Sequence, residues 1–152
     1  MGFLFIILAG FGWAKPVQFD PAQLKKLRRD KALIAAAGPL SNLVLGIIFI
    51  FIVKAMIFHI SSYNTFIENL FYIIFQAAAI NFGLFIFNLI PIPPLDGSHI
   101  VFSGFNIKPE VEYNIRKIGM PVLFLILIIQ RYANITIIPI GKMVTAMIYF
   151  FI

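Results

Sequence analysis

The residues in this chain best placed for chemistry lie in the stretch Asn88-Leu89-Ile90-Pro91-Ile92-Pro93-Pro94-Leu95-Asp96-Gly97, which closes a long apolar run beginning near Phe66. Three prolines stop that run as a helix, and a carboxylate follows at membrane depth or just at its edge. A charge there is expensive, so an acid in this setting marks a functional site by default. Asp96 can act as a metal ligand or as a turn cap; Asp-Gly is a common turn pair and taken alone favours the cap. The chain contains two histidines, His59 and His99, forty residues apart, and no cysteine. Disulfides, thiolate catalysis and cysteine-ligated metals are therefore excluded for these residues. His99 follows Asp96 by three positions, but one Asp and one nearby His leave a zinc site short of a third ligand. A surface or interfacial role is expected for His99, and a solvated one for His59.

The elements that must position these groups are apolar helices. Of the 152 residues 61% are hydrophobic, and the mean hydropathy is +0.98. Soluble domains run nearer half apolar, so composition alone indicates a membrane protein. With about 20 residues per span, the expected fold is an all-α polytopic bundle of about four transmembrane spans in a single membrane-embedded domain, with a short N-terminal membrane segment. The net charge of +6 comes from residues that flank hydrophobic runs. Positively charged cytoplasmic loops explain that pattern, and nucleic-acid binding does not.

Residues 1–13 are apolar but too short for an ordinary span, and read as a re-entrant segment or the tail of a longer one. Residues 14–31 form a polar connector in which Lys15, Lys25, Lys26, Arg28, Arg29 and Lys31 outnumber Asp20 and Asp30. This cluster places the loop on the cytoplasmic side, as a solvated basic face. Residues 32–57 form a full span in which Ala35, Gly38, Asn42 and Gly46 share one face, so that a second helix can approach closely. Pro39 should loosen the turn before it. An outer turn follows, and Thr65-x-x-Glu68 reads as a capping box, which accounts for Glu68 without chemistry. Residues 66–90 form the second span, with Ala77, Asn81, Leu84 and Asn88 on one face. Buried amides need partners, so this stripe faces protein or a water-filled cavity. Two spans separate the basic loop from Asp96, which puts both on the same side. Residues 107–117 are of mixed charge and read as an interfacial connector. Residues 118–129 continue as an apolar helix that starts a little earlier and ends at Gln130-Arg131, and 136–152 form a last apolar segment interrupted by Pro139 and Lys142; the two read as two short passes in preference to a hairpin.

Three patches resemble the site-2 protease family, the intramembrane zinc metalloproteases of peptidase family M50. They are Gly10-Phe11-Gly12-Trp13-Ala14-Lys15-Pro16-Val17, then Ala37-Gly38-Pro39-Leu40-Ser41-Asn42, then the Asn88 to Gly97 stretch. The resemblance implies that Asp96 is the third zinc ligand and that Asn88 polarises the scissile carbonyl. It also implies that the helix of Gly38 packs against the catalytic centre with Asn42 lining it. Beside Asn88 and a preceding apolar helix, the ligand reading of Asp96 is preferred to the cap. The implied activity is regulated intramembrane proteolysis of a transmembrane protein substrate, with Zn2+ as cofactor and the lipid bilayer as surroundings.

The family's His-Glu-x-x-His, which supplies the other two ligands and the general base, does not occur in the 152 residues. The expectation is that this chain represents the C-terminal part of the fold, an N-terminally truncated fragment. A polypeptide upstream, or a separate chain, then carries the motif. The chain alone should neither bind stoichiometric zinc nor hydrolyse peptides. The alternative is a non-catalytic membrane protein, or a degenerate remnant, that keeps the helix-packing core. A small transporter is disfavoured, because no internal duplication is visible. The expected location is a prokaryotic plasma membrane, with the basic loop and the Asp96 turn facing the cytoplasm.

Overall fold

The computed structural model describes residues 27–59, 64–105, 107–133 and 136–152. The expected membrane segment at 1–13, the patch at 10–17 and most of the basic connector lie outside the described residues. Five helices follow in order: α1 (Leu27–His59), α2 (Thr65–Asn88), α3 (Asp96–Gly104), α4 (Pro109–Tyr132) and α5 (Ile140–Phe151). No strand occurs among the described residues.

Two of these helices are long and apolar enough to cross a membrane, Arg28–His59 and Thr65–Asn88. With 33 residues α1 is about 50 Å long at 1.5 Å per residue, well beyond a hydrocarbon core of about 30 Å. Its charged first turns, Arg28 to Lys31, can therefore stand outside the apolar layer. Pro39 sits inside α1, fully buried. Large side chains along the span, including Leu33, Leu40, Val44, Ile48 and Phe51, are exposed. So many exposed apolar groups suit a lipid surround and would be an aggregation hazard in water.

α2 begins one residue away from the expected cap. Asn64 is the N-cap, and its side chain accepts a hydrogen bond from the Ile67 N–H at 2.9 Å. Asn ranks above Thr as a cap, so the Thr65-x-x-Glu68 box is not the device used. α2 ends at Asn88, two residues before the expected limit. Pro91 disfavours helical geometry at the residue before it, Ile90.

Residues 107–117 are not a connector. From Pro109 onward they form the opening turns of α4, which is capped by Lys108 and runs unbroken past Pro121. Proline is pre-organised for that starting position, and the Glu112–Arg116 pair spans one turn. Lys142 likewise does not interrupt the last segment. It lies within α5, whose N-cap is Pro139. The Gln130 side chain accepts a hydrogen bond from the Ile138 N–H at 2.9 Å and fastens the α4–α5 connection.

The core is formed by α1, α2 and α5. Ile50, Val53, Ala78, Phe82 and Ile148 cluster there, with Phe151 stacked on Phe82 at 6.0 Å between ring centroids. Gly46 makes the close approach possible, since a Cβ on it would stand 2.7 Å from the Phe82 ring. The small-residue face expected on α1 is therefore in use as a packing face. Lys54, a cation within the apolar part of α1, is half-buried and donates to the Phe151 carbonyl at 3.3 Å, near the end of α5. A cation is favourable at a helix C-terminus.

Candidate functional site

The site is built from the end of α2, the proline turn and the start of α3. The Leu89 N–H closes α2 on the Phe85 carbonyl at 3.2 Å, and the Ile90 N–H bonds to Phe87 O at 3.2 Å. The turn then runs through Pro91-Ile92-Pro93-Pro94, with a cis bond between Pro93 and Pro94. The Ile92 N–H donates to Ile90 O at 2.8 Å, and the Leu95 N–H to Ile92 O at 3.0 Å. At the start of α3, Ser98 donates twice to the Leu95 carbonyl, from its N–H at 3.0 Å and its hydroxyl at 2.7 Å. Ser98 is only 1% exposed, so this pair of bonds is sealed from solvent.

The turn folds back on itself. A Cβ on Gly97 would lie 2.2 Å from the Leu89 carbonyl oxygen and 2.7 Å from that of Ile90. Only glycine allows the first turn of α3 to rest directly on the end of α2. That contact brings Asp96 back toward the helix end that carries Asn88. Asp96 also lies against α1, where a Cβ on Gly38 would stand 3.1 Å from Asp96 Oδ2. Gly38 thus leaves room for the carboxylate, and Asn42 follows it one helical turn along α1.

Asp96, Asn88 and Asn42 are each half-buried. They stand at the start of α3, the last residue of α2 and the same stretch of α1. No hydrogen bond joins the three side chains among the described residues. Burial holds the Asp96 carboxyl above the usual carboxylate range, opposed by the nearby His99. A bound cation would reverse that balance by favouring the carboxylate form.

His99 sits one turn further along α3. Its Nδ1 is 2.9 Å from Arg116 Nη2, and Arg116 is held in turn by Glu112. The Arg116 guanidinium also lies over the Phe102 ring, 5.9 Å from its centroid. Burial first, and then the Arg116 charge, hold the His99 imidazole below its ordinary range. A neutral ring nitrogen accepting from Arg116 ties α3 to α4. His59 is exposed at the end of α1.

Sequence reasoning did not single out two residues that shape this site. Gly119 in α4 lies against the proline turn, and a Cβ there would be 2.7 Å from both Pro93 Cβ and Pro93 O. Arg116 links α4 to α3 through His99. A glycine inside an otherwise apolar helix was the available signal for the first. The second depends on a contact between residues distant in the chain and left no local trace.

Among the described residues, no group of three His, Cys, Asp or Glu side chains is placed to hold a metal ion. The Asp96 carboxylate fits one position of a three-ligand zinc site.

The sequence profile of Peptidase family M50 matches residues 54–130. The chain is 38% identical over 104 residues to YwhC of Bacillus subtilis (strain 168), covering 66% of this chain and 46% of that protein. It is 33% identical over 70 residues to RasP of Shouchella clausii (strain KSM-K16), covering 42% of this chain and 17% of that protein. Both names carry the words zinc metalloprotease. The chain spans less than half the length of either relative. No solved structure matches.

Proposed function

Because the chain belongs to peptidase family M50, we propose that it forms the Asp-bearing part of an intramembrane zinc metalloprotease. The observation that carries this reading is the Asn88–Asp96 turn. It returns a half-buried carboxylate to the end of an apolar helix and against Gly38 of a second one. In this proposal Asp96 is one zinc ligand, Asn88 donates its amide N–H to the scissile carbonyl, and Asn42 lines the site. Zinc, when bound, supplies an activated water. The 152 residues hold no His-Glu-x-x-His, so the two imidazole ligands and the carboxylate base come from other polypeptide in the working enzyme. The substrate is a transmembrane protein.

The test is to purify the chain alone and together with a co-expressed segment carrying His-Glu-x-x-His. Zinc content and cleavage of a membrane-anchored peptide are then measured. The expected result is about one zinc per complex and zinc-dependent cleavage only when both parts are present. Zinc-dependent cleavage by the chain alone would overturn the divided site. A complex that assembles yet binds no zinc would favour the non-catalytic alternative instead.

The proposed arrangement takes α1 and α2 as full membrane passes and residues 1–13 as a further membrane segment. α4 begins and ends on the side of the Asp96 turn, because Arg116 meets His99 and Gln130 bonds Ile138, which lines one pocket with Leu89 and Ile90. The basic connector and the Asp96 turn share the cytoplasmic side of a prokaryotic plasma membrane. Cysteines at Gln23 and Gly104 should be labelled from the same face and one at Ser62 from the other. Gly104 is exposed, so a thiol there is open to the reagent. Labelling of the Gln23 and Gly104 positions from opposite faces would refute this topology.

A further inference from the structure

A cavity of about 190 Å³ lies beside the helix that begins at Asp96, and the proposed proteolytic function leaves it unused. It is lined by the first turns of α1, by α3 and by the start of α4, and it is partly open to the surface. Arg28, Lys31, His99 and Ser103 supply polar lining, and Phe102, Ile107 and Pro109 supply apolar lining. Glu112 also lines it, but that carboxylate is already engaged by Arg116. No ion pair holds Arg28 or Lys31 among the described residues. Three positions apart on a helix, these two cations share one face. The cavity therefore carries an uncompensated positive charge against an apolar wall.

Its level in the molecule narrows the choice of ligand. Arg28 begins the helix that is long and apolar enough to cross a membrane, and the basic first turns of such a helix belong at its polar end, among the head groups of a bilayer. Lipid phosphates lie at that level, and basic pockets there select anionic head groups. A free phosphate ion would use the cations but not Phe102, Ile107 and Pro109. A phosphate attached to a glycerol backbone and acyl chains uses both.

We propose that the cavity between the first turns of α1, α3 and the start of α4 binds the phosphate of an anionic phospholipid, with Arg28 and Lys31 as its cationic partners. His99 and Phe102 belong to the helix that begins at Asp96, so the bound head group rests on the element that carries the carboxylate.

The test uses the full chain in a neutral maltoside detergent. Phosphatidylglycerol, phosphatidylcholine or inorganic phosphate is added, and retained ligand is counted by native mass spectrometry. One phosphatidylglycerol per chain should be retained in preference to phosphatidylcholine. Retention should weaken by about 30-fold in Arg28→Gln/Lys31→Gln, the loss expected for two interfacial cations. Lys117→Gln/Lys142→Gln removes the same charge outside the cavity and should change retention by no more than roughly threefold, because distant exposed charges are screened. Ser103→Trp fills the space without changing charge and should also lower retention. Helical circular dichroism verifies that each variant is folded. Equal losses in the two charge variants would overturn the site, as would equal retention of phosphatidylcholine. Displacement of the lipid by inorganic phosphate at matching concentration would overturn the lipid as its ligand.

Discussion

Gly97→Ala should dismantle the turn that presents Asp96, while Gly104→Ala on the same short helix should be tolerated. The two positions have the same chemistry and differ in surroundings. An alanine Cβ at position 97 would stand 2.2 Å from the Leu89 carbonyl oxygen and 2.5 Å from its carbon, and at position 104 nothing lies within 4 Å. The atoms crowding Gly97 are backbone atoms at the end of α2, where Leu89 is already bonded to the preceding turn. They cannot swing aside as a side-chain tip can. Overpacking of this kind costs about 1–3 kcal/mol, and the upper end or beyond is expected where backbone must shift. Replacing a helical glycine by alanine in open space gains about 0.5–1 kcal/mol instead. Thermal unfolding in detergent should therefore separate the two variants in opposite directions. A Gly97→Ala protein as stable as the Gly104→Ala protein would show that α3 does not rest on the end of α2.

The same contact marks the boundary between what the sequence discloses and what it hides. The two long spans were legible because an apolar run longer than a bilayer core has few other uses. Asp96, Asn88 and Asn42 were legible as candidates because each is a polar group in an apolar setting. Their surroundings were not. Gly38 meets Asp96, Gly119 meets Pro93 and Arg116 meets His99 across long stretches of chain. Local periodicity contains no record of such pairings. The opening of α4 was misread for a different reason. Its mixed charges suggest an interfacial connector, yet a proline at the first helical position and an ion pair one turn apart both support a helix. The cap of α2 moved by one residue because Asn64 and Thr65 are both competent caps and adjacent.

In the reconstituted enzyme, Asp96→Ala should lower zinc-dependent cleavage by at least about 100-fold, because loss of an outer-shell partner alone costs 10–100-fold in metal affinity or activity and a direct ligand is worth more. Zinc content should fall with it, which a purely structural role for the turn would not require. Asp96→Asn keeps the shape and one oxygen but removes the negative charge, and should lose zinc as well. Gly38→Ala provides the graded case. Its methyl would meet Asp96 Oδ2 at 3.1 Å, so the carboxylate must give by a few tenths of an ångström. A displacement of about 1 Å in a catalytic group can cost 10²-fold, so a smaller shift should leave activity between wild type and Asp96→Ala. Glu68→Gln lies in the first turn of α2, at the opposite end from Asn88, and should leave cleavage unchanged. The order wild type, Gly38→Ala, Asp96→Ala in both zinc content and cleavage follows if the carboxylate holds the metal and α1 sets its position. Full zinc content in Asp96→Ala would remove Asp96 from the ligand set and return it to the role of a turn residue.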